Sequence, residues 1–292
     1  MKRNPHKSVA ASIKQSIGSI LLASGRINPE TLRKILDHQR KTHTPFGEAA
    51  VALHAVDKDD IDFALSQQFD YSYLSEDDQS VSKQLVTAFK PFSRVGENMR
   101  AIRSQLMLRW FTGDPLHRSL AIVSAGAGEG RSFIAANLAV VFAQQGNKTL
   151  LIDADLRAKP ESSIQQLFKL GRTAGLSGIL SGRAGTEAMQ LVPGLPKLGV
   201  LAAGAVPPNP QELLGRPMFS KILRGAANTF DVILIDTPNG NAYADAEIVA
   251  SRAGAALMLA KVHQTLVPQA SAFAKRLQDG GVNLVGSVLN DT

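Results

Sequence analysis

The sequence predicts an α/β protein in which a doubly wound, mainly parallel sheet follows a small domain of repeated helices. Two apolar runs typical of buried strands end in aspartates, and helical stretches lie between them. Nearer the N-terminus, apolar residues follow a helical spacing that recurs after 29 residues. Further strands are expected at residues 198–203, 256–262 and 283–289. The expected segments are a basic tail at 1–12, a helical repeat domain at 13–74, a linker at 75–90 and the sheet domain at 91–292.

Charge and composition limit the classes of partner. The 292 residues carry a net charge of +7 and include no cysteine, which excludes disulfides and thiolate metal sites. No apolar run reaches the roughly 18 residues that span a bilayer, so we expect a soluble or membrane-peripheral protein. Residues 1–44 and 45–84 carry +7 and −7, which leaves the excess on the C-terminal part. That excess suits nucleotide or anionic membrane partners, although ordinary solvated charge explains it equally well.

The predicted N-terminal domain consists of two 29-residue units. Leu32 and Leu36 of the first unit correspond to Ile61 and Leu65 of the second, and the shared spacing places each pair on one helical face. Each unit is predicted to form a helix, a turn and a second helix. Two such units can bury a small shared core.

A glycine-rich segment follows an apolar run and precedes a helical pattern. Residues 120–123 predict a strand, residues 133–141 predict a helix, and three glycines lie between them. This order directs backbone N–H groups and a helix N-terminus towards phosphate. Arg131 stands where the commonest phosphate-binding loop has lysine. The predicted phosphate-binding residues are Ala127, Gly128, Glu129, Gly130, Arg131, Ser132 and Phe133.

Three aspartates are predicted to reach the same edge of the sheet. One apolar run ends in Asp153 and Asp155, and another ends in Asp236. Ligands of such sheets bind outside the carboxyl ends of the strands, where the glycine loop also lies. Because Mg²⁺ prefers oxygen ligands, the predicted metal ligands are Ser132, Asp153 and Asp236. Any single aspartate has an alternative role as a strand-end cap or ion-pair partner, but the combination predicts a nucleotide site.

A charged helical segment precedes the glycine loop. Glu97, Arg100 and Arg103 are three residues apart, which makes them neighbours on one helical face. One interpretation is an amphipathic helix with a solvated charged edge. The other is a self-association surface, because a carboxylate and two guanidinium groups suit reciprocal contacts between identical subunits.

Together these motifs resemble those of the bacterial tyrosine kinases, which belong to the deviant Walker class of P-loop ATPases. Glu97, Arg100 and Arg103 match the oligomerisation motif of that family. Within it, the chain looks most like the kinases that determine exopolysaccharide chain length. The segments that carry the resemblance are 127–132, 153–157, 175–182, 207–214 and 235–238.

The resemblance implies ATP-dependent tyrosine autophosphorylation, with Mg²⁺ as cofactor. Arg131 would neutralise phosphate charge, while Asp153, assisted by Asp155, would orient or deprotonate the attacking hydroxyl. It also implies rings that assemble and disassemble as polymer length and export are regulated. The expected partner is an inner-membrane polysaccharide copolymerase, and the expected location is cytoplasmic, peripheral to the inner membrane. No nucleic-acid partner is expected.

The chain departs from the family pattern in several places. Arg131 replaces the usual lysine, and arginine holds phosphate with a longer, planar group. Gly126 stands where partitioning ATPases carry a signature lysine, which disfavours a DNA-partitioning role. The C-terminal tyrosine cluster of the family has no counterpart, because the tyrosines are Tyr71, Tyr73 and Tyr243. Tyr243 is the candidate phosphoacceptor, with a packed helix residue as the alternative. A nucleotide-switched regulator without kinase turnover is the alternative function.

The helical repeat resembles the N-terminal domain of secretion and pilus-assembly ATPases. Some of those domains bind cyclic di-GMP through paired Arg-Leu-Gly motifs. Here the two arginine positions are Ser16 and Pro45, so the guanidinium contacts to guanine and phosphate are missing. A docking module is therefore the favoured interpretation, and cyclic di-GMP binding is the alternative.

Overall fold

A computed structural model describes residues 16–68, 73–158 and 164–291. The chain divides into two compact units, Met1–Ser72 and Tyr73–Thr292. The predicted basic tail at 1–12 and Tyr71 lie outside the described residues. Within the described part of the chain, no helix combines the length and the apolar character needed to cross a bilayer.

The smaller unit contains two consecutive helix–turn–helix segments. Its turns include Gly25 and His54, both in the left-handed region with φ of +72° and +50°. Asn28 begins the second helix by accepting a hydrogen bond from the Thr31 amide at 2.8 Å. The helices are α1 (Ile17–Ala23), α2 (Pro29–Thr42), α3 (Phe46–Ala52) and α4 (Lys58–Gln68). Their buried core includes Ile20, Leu21, Ile27, Ile35, Ala49, Ala50, Val56, Ile61 and Ala64.

The larger unit is built on a seven-stranded sheet with the order β3-β4-β2-β5-β1-β6-β7. Its strands are β1 (Ser119–Ser124), β2 (Thr149–Asp153), β3 (Gln190–Val192), β4 (Leu195–Leu201), β5 (Val232–Asp236), β6 (Ala255–Lys261) and β7 (Asn283–Asn290). Every neighbouring pair is parallel except β3 and β4. The predicted fold class is therefore confirmed. The short antiparallel edge strand β3 was not expected from the sequence.

Helices cover both faces of this sheet. Leu120 and Ile122 of β1 belong to the apolar core on one face, and Ala121 and Val123 belong to the core on the other. This alternation follows from the two-residue period of a strand, and it makes the sheet doubly wound. The helices are α5 (Val86–Phe89), α6 (Arg94–Arg109), α7 (Arg131–Gln144), α8 (Ile164–Leu167), α9 (Gly175–Leu180), α10 (Pro210–Gly215), α11 (Pro217–Ala227), α12 (Asp245–Ala253) and α13 (Val267–Asp279).

Helix α7 is buried on all sides. Every residue from Ile134 to Gln144 is buried, because the sheet lies on one side of α7 and the helices α5 and α6 contact its other sides. The asparagine Asn137 is buried within this helix and bonds to the preceding segment of the chain. The glycine loop therefore leads into a helix that is buried along most of its length.

The segment 75–90, predicted to be a linker, packs onto the larger unit. Val81, Leu85 and Phe89 are buried in its core. The Thr87 amide donates to Asn137 Oδ1 at 3.0 Å, and the Thr87 carbonyl accepts from Gln144 Nε2 at 2.9 Å. The acidic residues at 75–80 predicted a linker, but the packing is made by the apolar residues that follow them.

Candidate functional site

The glycine loop connects the end of β1 to the start of α7. Gly128 and Gly130 have φ of +70° and +95°, in the left-handed region that favours glycine. A Cβ atom at Gly130 would collide with the side-chain amide of Asn290. The loop therefore needs glycine for its backbone conformation and for its close approach to β7. Its geometry fits an anion-binding loop at a helix N-terminus.

The guanidinium of Arg131 joins the glycine loop to the strands on either side. Its Nε donates to the Thr237 carbonyl at 2.8 Å, and its Nη1 donates to the Gly126 carbonyl at 2.6 Å and to Ser124 Oγ. Among the residues that the structure describes, none accepts a hydrogen bond from Nη2. Arg131 thus braces the loop against protein oxygens and keeps one nitrogen for another acceptor. A lysine ammonium lacks this planar fork.

Asp153 and Asp236 lie side by side at the carboxyl ends of β2 and β5. They are directly paired in the parallel register, and each is 1% exposed. Ser132 Oγ donates to Asp236 Oδ2 at 2.5 Å, and the Asp155 amide donates to Asp153 Oδ1 at 3.1 Å. The structure therefore brings together the three predicted metal ligands, with Asp155 next to them.

One oxygen of each buried aspartate lacks a hydrogen-bond partner among the described residues. These oxygens are Asp153 Oδ2 and Asp236 Oδ1. Burying an ionised carboxylate oxygen without a partner is costly, and a bound cation would remove that cost. No group of three or more His, Cys, Asp or Glu side chains in the described ranges could hold a metal by itself. Mg²⁺ fits this arrangement, because it is commonly held by one or two carboxylates together with substrate phosphate and water.

Burial perturbs the acidity of all three aspartates. It raises the pKa of Asp153 well above its usual range, and the charges of Asp236 and Asp155 add to the effect. Burial also raises the pKa of Asp236 to about 7, against the opposing hydrogen bond from Ser132 and the charge of Arg131. The pKa of Asp155 is raised by burial as well, opposed by the Arg157 amide. Carboxylates with raised pKa values suit proton transfer near neutral pH.

The ring of Tyr243 stacks on the guanidinium group of Arg157, which follows β2. Arg157 binds the buried Asp245 through Nε at 2.7 Å and through Nη2 at 3.2 Å. The Arg157 Cζ atom lies 3.9 Å from the centroid of the Tyr243 ring. Tyr243 is 44% exposed and lies in the turn before α12. The alternative interpretation of Tyr243 as a packed helix residue is therefore wrong.

The charged motif on α6 contacts its own unit. Arg100 pairs with Glu97 within the helix and also donates to the Pro91 carbonyl at 2.5 Å. Arg103 Nη1 donates to the Val141 carbonyl of α7 at 3.5 Å. Glu97 is exposed, and both arginines are partly buried. The role of this motif in self-association stays a prediction.

Two of the predicted phosphate-binding residues have their side chains in other roles. The Glu129 carboxylate is buried, accepts from the Gly126 amide at 2.8 Å, and also accepts from the Thr265 hydroxyl. Phe133 is half-buried and packs against the apolar core. The backbone of Glu129 still forms part of the glycine loop, and the backbone of Phe133 forms part of the first turn of α7.

Sequence reasoning missed three residues that contact the glycine loop. Gln264 Nε2 donates to the Ala127 carbonyl at 2.6 Å, and Asn290 Nδ2 donates to the Glu129 carbonyl at 3.2 Å. The third residue is Thr265, the partner of Glu129. Gln264 and Thr265 follow β6, and Asn290 is the last residue of β7. The only signal in the sequence was therefore that parallel strands end at one edge of the sheet.

Comparison with known proteins places the site within a described domain type. The family described as CobQ/CobB/MinD/ParA nucleotide binding domain matches residues 120–291. The tyrosine-protein kinase YwqD of Bacillus subtilis is 35% identical over 210 residues, which cover 72% of this chain and 86% of YwqD. The tyrosine-protein kinase etk of Escherichia coli K12 is 33% identical over 202 residues, which cover 68% of this chain and 27% of etk.

A solved structure gives the same result at the level of the fold. The chimerical protein CapA2B2 superposes with a TM-score of 0.66 at 28% identity, and the match covers 78% of this chain and 97% of that one. The glycine loop and the aspartates at the ends of β2 and β5 all lie within the residues that the nucleotide-binding family covers.

Proposed function

The chain belongs to the bacterial tyrosine-kinase family, and from this premise we propose that it is an ATP-dependent protein-tyrosine autokinase that regulates exopolysaccharide polymerisation, chain length and export. One observation carries the proposal. Asp153 and Asp236 each keep a buried carboxylate oxygen that has no hydrogen-bond partner among the described residues, and the other oxygen of Asp236 accepts from Ser132 at the start of α7. In a domain type described as nucleotide binding, this arrangement suits a metal–nucleotide complex.

The glycine loop and the start of α7 would hold ATP. Backbone amides of residues 128–132 would cradle the phosphates, and the Nη2 of Arg131 would add a donor while its other nitrogens brace the loop. Ser132, Asp153 and Asp236 would hold Mg²⁺. When bound, the ion neutralises charge on the phosphates and fixes their orientation.

Asp153 would act on the attacking hydroxyl, with Asp155 assisting. A tyrosine Oη attacks the γ-phosphorus of ATP, the bond from that phosphorus to the bridging oxygen breaks, and ADP leaves. The tyrosine proton passes to a carboxylate oxygen of Asp153. The Asp155 amide keeps Asp153 oriented through its hydrogen bond to Oδ1.

Tyr243 would be the acceptor. Its ring is partly exposed and stacks on Arg157, which lies two residues after Asp155 in the segment that follows β2. Arg157 is itself held by the buried Asp245, so the ring has a defined support near the aspartates. A partly exposed tyrosine with a positioned ring suits transfer from another subunit as well as from its own.

For assembly and location, the proposal is based on the resemblance to the family. Glu97, Arg100 and Arg103 would contribute to a ring of subunits. We propose an inner-membrane polysaccharide copolymerase as the partner, with the kinase on the cytoplasmic side and peripheral to the membrane. The match spans 27% of the length of etk.

Incubation of the purified protein with Mg-ATP, followed by detection of phosphotyrosine, tests the activity. The signal should appear in the wild-type protein and should disappear with Asp236→Asn. ATP binding and assembly without phosphotyrosine would refute the kinase function and would instead support a nucleotide-switched regulator.

A further inference from the structure

Four side chains connect the glycine loop to the segment after β6 and to the last residue of β7. We call Glu129, Gln264, Thr265 and Asn290 the loop anchor. Glu129 lies in the loop itself, and the other three reach it from more than a hundred residues away in the sequence. Because nucleotide phosphates would approach this loop, the anchor's effect on the backbone bears directly on binding.

The Glu129 carboxylate forms the centre of a continuous chain of hydrogen bonds. The Lys261 amide donates to Thr265 Oγ1 at 2.7 Å, and the Thr265 hydroxyl donates to Glu129 Oε1. The other oxygen, Oε2, accepts from the Gly126 amide at 2.8 Å. Glu129 is 1% exposed, so these charge-assisted bonds are formed in a protected environment. The carboxylate is therefore bound by the Thr265 hydroxyl, after β6, and by the Gly126 amide at the start of the loop.

The anchor also fixes two carbonyl groups of the loop. Gln264 binds the Ala127 carbonyl at 2.6 Å, and Asn290 binds the Glu129 carbonyl at 3.2 Å. Asn290 is itself tied to β6, because its carbonyl accepts from the Val262 amide at 2.9 Å. The two carbonyls therefore have defined directions.

The direction of each carbonyl determines the direction of the next amide. In a planar trans peptide, the C=O and the following N–H point to opposite sides, and the described residues include no cis peptide bond. Holding the Ala127 carbonyl turns the Gly128 N–H away from Gln264. Holding the Glu129 carbonyl turns the Gly130 N–H away from Asn290. Both glycine amides are thus directed away from the groups that hold their neighbours.

We propose that the loop anchor consists of positioning residues that orient the Gly128 and Gly130 amides for nucleotide phosphate. Glu129, which the sequence assigned to nucleotide contact, acts through the backbone instead. A carboxylate facing the phosphates would repel them, whereas one held by Thr265 and Gly126 stabilises the loop without adding charge to its open side. This inference rests on the proposed function for the identity of the ligand, and on the contacts above for the role of the residues.

The matched substitutions Thr265→Val and Thr265→Ser test the proposal in the full chain. Valine keeps the shape of threonine and removes its hydroxyl, whereas serine keeps the hydroxyl. We expect the Kd for Mg-ADP, measured by calorimetry, to rise about five- to tenfold with valine and less than about twofold with serine. In the kinase assay, KM for ATP should rise more than kcat falls, because the anchor acts on phosphate binding. Equal affinities for wild type and Thr265→Val would overturn the proposal.

A second pair of variants guards against a folding defect in Thr265→Val. Gln264 and Gln269 are both exposed, but only Gln264 contacts the glycine loop, while Gln269 contacts Asn241. Gln264→Ala should weaken Mg-ADP binding about threefold, and Gln269→Ala should leave it unchanged. Equal binding by these two variants would contradict the anchor's role.

Hydrogen exchange separates this proposal from the proposed function, because it needs no nucleotide. The Gly126 amide donates to Glu129, so its exchange should be faster in Thr265→Val than in Thr265→Ser. If the wild-type protein binds no nucleotide, the proposed function fails, and faster exchange in the valine variant still supports positioning of the loop. Unchanged exchange would refute the anchor.

Discussion

Asp153 and Asp236 are directly paired at the ends of adjacent parallel strands, and each has a buried carboxylate oxygen without a hydrogen-bond partner among the described residues. Two buried acids in direct register repel each other when both are ionised. Burial raises the pKa of both groups; the charge of Asp155 adds to both shifts, and the charge of Asp236 adds to that of Asp153. A cation between the strand ends would relieve the repulsion, which links metal binding, protonation and stability at one place.

The substitution Asp236→Asn should abolish metal-dependent activity while leaving the fold intact. Asparagine has the shape of aspartate and can still accept a hydrogen bond from Ser132, but it lacks the charge that holds Mg²⁺. We expect turnover with Mg-ATP to fall at least about a hundredfold, since the metal contributes several kcal/mol to catalysis. A phosphotyrosine assay measures the loss. Asp231→Asn, at an exposed aspartate just before the start of β5 and therefore at the opposite edge of the sheet, is the control and should retain activity. Wild-type turnover in Asp236→Asn would count against the assigned metal site.

The stability of the metal-free protein should decrease as the pH rises towards neutrality. In the folded protein the pKa of Asp236 is about 7, whereas an unfolded aspartate titrates near about 3.9. Between these values the folded state keeps a proton that the unfolded state releases, so the contribution of Asp236 is present at low pH and is lost as the pH rises through 7.

Urea unfolding at several pH values measures this dependence. Other groups also titrate, so the informative quantity is the difference between wild type and Asp236→Asn. The free energy of unfolding of the variant should fall less between pH 5 and 7.5, and Mg²⁺ should reduce the fall in the wild-type protein. Parallel curves for the two proteins would exclude a raised pKa at Asp236.

The substitution Arg131→Lys should distinguish the hydrogen bonds by which Arg131 braces the loop from its positive charge. Lysine supplies a positive charge but cannot reach the Thr237 carbonyl, the Gly126 carbonyl and Ser124 at the same time. We expect the free energy of unfolding to fall by roughly 1–2 kcal/mol, and turnover to change less than about tenfold. Thermal unfolding and the kinase assay measure the two effects. Arg131→Met, which removes the charge as well, should lose most of the turnover; equal turnover in the two variants would show that the charge is not used.

The substitution Tyr243→Phe should remove most of the phosphotyrosine formed by the protein. Phenylalanine keeps a ring for Arg157 to stack on, so that only the acceptor hydroxyl is lost. Antibody detection or mass spectrometry of the phosphorylated chain measures the result. Tyr73→Phe is the matched control and should keep the signal. An unchanged signal in Tyr243→Phe would identify another tyrosine as the acceptor.

The sequence by itself determined the fold class and the parts of the site that depend on local pattern. Apolar runs ending in Asp153 and Asp236 predicted buried parallel strands, and the glycine loop between a strand and a helix predicted the phosphate site. These features could be predicted because burial and the two- and 3.6-residue periods are properties of short segments. The four helices of the smaller unit follow the 3.6-residue period.

The tertiary structure alone decided which distant residues meet. The register that pairs Asp153 with Asp236, the packing of residues 75–90, the brace made by Arg131 and the loop anchor all depend on contacts between separate segments. Glu129 and Thr265, for example, are 136 residues apart in the chain. A short pattern carries no information about such a partner, because a side chain's hydrogen bonds are set by where the sheet order brings the strand ends together.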